Sequence, residues 1–248
     1  MGIFNKKSNY IDVVNEVTQS LNEYKMFQLD NSKTFMVTRF VKDINDLLYR
    51  TTLMTSELLD EKGFSKSLIL NRVAKSVFLN TEISELADAI KKNLGKEEEG
   101  FEIADIIIRS TNFLCAIETF KEYEKLSLEV QKNSIAFENK FFKIPVFNFS
   151  GMAEEDAKLN LVENMMRIWN DINTSSELMV HAYRSKDSRK GFTKLFIGLW
   201  NHIMELTALC EVYTDMFLSK NLHYYIDKKM NKNFERPFRY NISGNIDK

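Results

Sequence analysis

The feature that most constrains this chain is an apolar periodicity of three to four residues carried with very few breaks. Ile69, Val73 and Val77 recur at i+4, and Ile83, Leu86 and Ile90 follow at i+3 and i+4 with charged residues between them. Ile103, Ile106, Ile107 and Phe113/Leu114 continue the series. Only 8 glycines and 2 prolines occur in 248 residues, too few for the turns of an all-β protein. The expected fold class is therefore all-α, a helical bundle. The periodicity places helices near 8–25, 33–61, 66–93, 98–142, 154–184, 190–220 and 222–235. Gly63, the Asn93–Gly95 turn and the Ser185–Gly191 segment separate some of them.

Composition excludes several classes. An apolar fraction of 44% is globular and supports a sizeable core. Lys+Arg 34 against Asp+Glu 35 leaves a net charge of −1, which offers no bulk field to nucleic acid or an anionic membrane. Cys115 and Cys210 are too few for a disulfide scaffold or a four-cysteine zinc site, and lie in apolar helical stretches as small hydrophobes. Met1–Tyr10 lacks an apolar signal core, and wholly apolar runs span only a few residues. A soluble, cytoplasmic protein is expected, with no nucleic-acid or membrane partner.

The stretch Lys143–Gly151, with a proline and a glycine, is the expected internal boundary, and the polar tail beyond Pro237 is expected to fray. Short matching stretches lie on either side of that boundary. Asn80–Leu86 resembles Asn173–Leu178, Gly100-Phe101 resembles Gly191-Phe192, and Asn112 matches Asn201. Lys140 and Lys229 each follow their asparagine by 28 residues. Two divergent copies near 57–145 and 152–240 would explain these matches, and coincidence between helical sequences is the alternative. The expected organisation is N-terminal helices at 1–60, a first repeat at 61–145, a degenerate second repeat with a basic end at 146–240, and a tail at 241–248.

The chemically informative pattern is Glu82-x-x-Glu85 followed by Glu102-x-x-Asp105. Residues at i and i+3 share a helix face, so each pair presents two carboxylates beside an apolar stripe. The turn near Asn93–Lys96 folds the two helices antiparallel and brings the pairs together. Four converging carboxylates repel one another unless cations neutralise them, and hard oxygen ligands select Mg²⁺ or Mn²⁺. Glu57-x-x-Asp60 has the same spacing, and a solvated helix face is the plain alternative for any single pair.

Glu82-Ile-Ser-Glu-Leu-Ala-Asp-Ala-Ile90 followed by Glu102-Ile-Ala-Asp-Ile-Ile-Ile-Arg-Ser-Thr-Asn112 resembles the core of the MazG-like nucleoside triphosphate pyrophosphohydrolases. That signature is an ExxE helix, a spacer, and an ExxD helix with an asparagine seven residues after the Asp, the position of Asn112. Lys229-Met-Asn-Lys-Asn-Phe-Glu-Arg-Pro-Phe-Arg239 resembles the family's terminal basic segment. The resemblance covers residues 80–115 and 222–240, and leaves the first 60 residues and the middle third unaccounted for. The basic segment stands much farther from the ExxD helix than in the simplest members. In the second copy Glu177 matches Glu85, Thr174 replaces Glu82, and no ExxD survives around Gly191–Asn201.

The resemblance implies a metal-dependent enzyme cleaving a nucleoside triphosphate to the monophosphate and pyrophosphate. Glu82, Glu85, Glu102 and Asp105 would be its metal-binding and catalytic residues, with Mg²⁺ or Mn²⁺ as cofactor. Asn112, Arg109, Lys229, Asn233, Arg236 and Arg239 would contact the nucleotide. Arg109, four residues after Asp105, either meets a phosphate or pairs with Asp105. The chain would act as a monomeric pseudo-dimer or a homodimer. Two other classes compete: a helical interaction protein that keeps the fold without turnover, and a related phosphohydrolase of phosphoribosyl nucleotides or alarmones. His181, His202 and His223 lack ligand-type i, i+4 partners, and Trp169, Trp200, Phe192 and Phe196 fall at core spacing.

Overall fold

A computed structural model describes residues 34–116, 141–147, 152–185 and 189–236. Its elements in chain order are strand β1 (Thr34–Phe40), helices α1 (Val41–Glu61), α2 (Leu68–Lys91) and α3 (Lys96–Leu114), strand β2 (Phe141–Phe147), and helices α4 (Glu154–Arg184), α5 (Arg189–Phe217) and α6 (Leu222–Glu235). The body of the molecule is all-α, as the periodicity requires. The expected helices at 8–25 and beyond Ala116, and the tail after Arg236, lie outside the described residues.

Two expected helix boundaries are corrected. Residues 34–40 form a strand where helix was expected from 33, and residues 141–142 open a second strand where helix was expected to 142. The two strands pair antiparallel, with Thr34 opposite Phe147 and Phe40 opposite Phe141. The cause is local: Thr34-Phe-Met-Val-Thr-Arg-Phe40 and Phe141-Phe-Lys-Ile-Pro-Val-Phe147 are rich in β-branched and aromatic residues, which fit an extended pleat better than a helix. Pro145 is tolerated because every strand of a two-stranded ribbon is an edge.

Helix α3 is the axis of the fold. It packs against α2, α6, α1 and α5, and from Glu102 to Ala116 every residue except Arg109 is buried. Its start is set by Gly95, at φ 97, after a turn in which Asn93 also adopts positive φ (50). Glu97, Glu98 and Glu99 fill the first turn, where the helix dipole favours negative charge. The short turn lays α2 back along α3. Helices α4 and α5 form a second hairpin, and the two hairpins meet α2 on α4 and α3 on α5. Trp169 Nε1 donates to the Ser76 carbonyl (2.9 Å) and Arg72 donates to Asn173 Oδ1 (2.8 Å), both joining α2 to α4. Trp200 and Phe196 are core residues, and Trp169 packs against the core from its edge.

Among the described residues, one helix, over Leu195–Phe217, is long and apolar enough by length and composition to cross a membrane, although wholly apolar runs are short; 78% of its apolar window is buried inside the fold, as a core helix requires. The apolar residues of α2 divide differently from the i+4 series. Leu79, Ile83, Leu86 and Ile90 are buried, whereas Val73 and Val77 are exposed. The inward face of α2 is set by α3 and α4 together.

Helix α6 starts at Asn221, whose side chain accepts from the Tyr224 N–H (3.0 Å). It lies tight against α3 because Gly100 has no side chain: a Cβ there would run into the buried Tyr225 ring. By contrast, a Cβ at Gly198 of α5 meets nothing within 4 Å. Gly100→Ala should therefore lower the urea midpoint, overpacking of about 1–3 kcal/mol outweighing the helix-propensity gain of about 1 kcal/mol. Gly198→Ala should raise stability by about 0.5–1 kcal/mol, because only the propensity term acts there. Equal effects of the two variants would contradict the close α3–α6 approach.

Candidate metal centre

The two acidic pairs occupy facing helices, as the hairpin spacing requires. Glu82 and Glu85 stand on α2, and Glu102 and Asp105 on α3. Ligand oxygens of Glu82, Glu102 and Asp105 lie within 4.8 Å of one another, the one such acidic, histidine or cysteine group among the described residues. Glu85 is outside this triad. It is solvent-exposed at the rim, next to Glu82 one turn earlier on the same helix. Three of the four expected ligands therefore converge, and the fourth adjoins them.

Among the described residues, two cations form ion pairs with the cluster. Lys229 of α6, buried at 7% exposure, places its ammonium on Asp105 Oδ2. Arg109 Nε donates to Glu82 Oε1 at 2.8 Å. The expected ion pair with Asp105 is thereby corrected: the Arg109 pair reaches across to Glu82 on α2 instead of staying one turn away on α3. The guanidinium also lies over the half-exposed Phe78 ring, 5.3 Å from its centroid. On the other flank, Lys229 and Lys232 stand 5.8 and 5.6 Å from the Phe101 centroid.

Electrostatics are unbalanced. Burial pushes the Glu102 carboxyl up to about 7; Lys229 opposes the shift, and Asp105, Glu85 and Glu82 add to it. Asp105 is raised by burial despite Lys229, and Glu85 by partial burial and then by the Glu82 charge. Glu102 Oε2 is buried without a hydrogen-bond partner. An oxygen-only donor set with an orphaned carboxylate oxygen suits a hard divalent cation.

The remaining expected contacts divide. Asn112 is buried two turns beyond Asp105; its carbonyl accepts from Lys75 Nζ (2.9 Å) and its Oδ1 has no hydrogen-bond partner. Asn233 is half-buried one turn after Lys229, and Arg236 is exposed at the end of α6. Arg239 lies outside the described residues. His202 is buried, and burial lowers it to about 4, whereas His181 and His223 are exposed. Both cysteines are buried, and burial pushes the Cys115 thiol up to about 12.

Sequence reasoning passed over two features. Phe78 and Phe101 flank the cluster; the signal for Phe78 was its place four residues before Glu82. The second is Glu99, buried at the start of α3, which accepts from Lys158 Nζ (3.0 Å) and from the Tyr213 hydroxyl (2.8 Å). This charge is fully partnered and ties α3 to α4 and α5. No family model, curated protein or solved structure matches the chain.

Without metal, the raised Glu102 makes stability depend on pH. The folded protein holds a proton that an unfolded Glu releases near 4.5, so stability is full below that value and falls as pH rises toward 7. In a chelating buffer at about pH 8, Glu102→Gln should stabilise by about 1–3 kcal/mol, and the gain should vanish at about pH 4. Thermal unfolding of both proteins across pH checks this; a variant less stable at about pH 8 would show that the Glu102 charge is already satisfied.

Proposed function

We propose that the chain is a divalent-metal-dependent nucleotide pyrophosphohydrolase of MazG-like type, cleaving a nucleoside triphosphate to the monophosphate and pyrophosphate. The observation that carries this reading is the convergence of Glu82, Glu102 and Asp105 from the two motif helices, with one buried Glu102 oxygen unpartnered. Mg²⁺ or Mn²⁺ held there would neutralise phosphate charge and lower the pKa of a bound water.

The chain's own residues would supply the rest. Water oxygen forms a bond to the α-phosphorus while the bridging α–β P–O bond breaks, and pyrophosphate leaves with that electron pair. Glu85, the most exposed of the four acids, stands where the water's proton can be taken. Arg109 and Lys229 offer N–H donors at the edge of the acidic floor, and Arg109 is the one suited to bidentate phosphate contact. Positioning and charge stabilisation are what phosphoryl transfer asks of a protein.

The two packed hairpins support an internal pseudo-dimer with one working site. Asn112 and Asn201 occupy corresponding helices, and each has a buried Oδ1 without a partner. Thr174 is exposed and donates to the Asn170 carbonyl, while Glu177 is exposed and approaches Arg72 at 3.9 Å. The second hairpin thus offers no ExxE-like counterpart of the acidic floor.

A second reading, a helical interaction protein without turnover, is favoured by one observation. Leu70, Val73, Val77 and Phe78 expose an apolar stripe along α2. Pyrophosphate and phosphate release, measured with Mg²⁺ over nucleoside triphosphates, phosphoribosyl nucleotides and alarmones, separates the readings. A nucleoside triphosphate should be cleaved, and Asp105→Asn should lower turnover by about 10² or more, the loss for removing one electrostatic stabiliser. Cleavage of only phosphoribosyl nucleotides or alarmones would move the substrate class. No metal-dependent release from any of them would favour the interaction protein.

A further inference from the structure

Helix α6 delivers Lys229 to the acidic cluster where a divalent cation would sit. The Lys229 ammonium contacts Asp105, its side chain is almost wholly buried, and the Phe101 ring flanks it. The three acid oxygens span less than 4.8 Å. A dication at their centre would therefore lie within a few ångström of that ammonium, in a region largely shielded from water. Like charges so placed repel strongly. Glu102 Oε2, buried and unpartnered, marks an oxygen that the ammonium leaves unserved.

We infer that Lys229 is an internal counter-ion that a divalent cation displaces from Asp105, so that metal entry frees the ammonium for an anionic ligand. This rests on the metal-site reading proposed above and adds an order of binding to it. Without metal, Lys229 is engaged by Asp105, and an incoming phosphate meets an acidic floor. With metal, the floor is neutralised and the flexible lysine stem can turn its charge toward the phosphate. Metal and phosphate binding are then coupled, and by linkage each tightens the other. Arg109 is less suited to this exchange, because its fork is shared between Glu82 and the Phe78 face.

The test uses the full chain, Mn²⁺ as the metal probe and inorganic pyrophosphate as the anion. Mn²⁺ binding is read by electron paramagnetic resonance or calorimetry, without nucleotide. Lys229→Met, which keeps the apolar stem, should bind Mn²⁺ at least about tenfold more tightly than the wild type. Lys229→Arg, which keeps the charge, should stay near the wild-type affinity. Pyrophosphate should strengthen Mn²⁺ binding less in Lys229→Met than in the wild type. If Lys229→Met binds Mn²⁺ no better than the wild type, the counter-ion role is wrong while the metal site stands. If Lys229→Met does not fold, Lys229→Gln replaces it in the same comparison. If neither the wild type nor these variants bind Mn²⁺, or if Glu102→Gln binds it as well as the wild type does, the metal-site reading itself fails.

Discussion

Three carboxylates from two helices are held inside a region where, among the described residues, two cations form ion pairs with them, and that imbalance governs the site. Glu82 has Arg109 and Asp105 has Lys229, but Glu102 keeps a buried oxygen with no partner. A buried charge without a partner is costly, and proteins ordinarily neutralise it by taking up a proton or a cation. The raised Glu102, Asp105 and Glu85 carboxyls are the proton response. A hard divalent cation is the other response open to an all-oxygen cluster.

The fold explains why the imbalance persists. Helix α3 is surrounded by α2, α6, α1 and α5, so Glu102 and Asp105 are largely withdrawn from water. One turn earlier the same helix shows how a buried acid is settled when nothing else is asked of it. Glu99 is closed by Lys158 and by the Tyr213 hydroxyl, from the two helices of the second hairpin. That hairpin thus braces α3 without contributing an acid to the cluster. Gly100 stands between the settled acid and the unsettled ones, and its missing side chain lets α6 come close enough to bring Lys229 in.

Much of this was legible in the sequence. The expected helices at 154–184 and 222–235 have the observed boundaries, because Glu154–Asp156 and the Asn221 cap provide strong local start signals. The meeting of the two acidic pairs followed from the short turn at Asn93–Gly95. The β ribbon was not legible, since pairing residues 34–40 with 141–147 is a long-range event that local periodicity does not report. Val73 and Val77 kept helical spacing yet face outward, because the buried face of α2 is chosen by its neighbours. The Arg109–Glu82 bond joins residues 27 apart, and an i, i+4 rule sees only Asp105. Lys229 was recognisable as basic and well placed in a motif, but its seat on Asp105 depends on tertiary packing.

The most direct test of the central claim is anomalous scattering from crystals of the full chain grown with Mn²⁺. A manganese peak should lie within about 2.0–2.6 Å of oxygens from Glu82, Glu102 and Asp105, the range of hard-cation bonds to oxygen. Clear density for the four carboxylates with no peak between them, at saturating Mn²⁺, would contradict it.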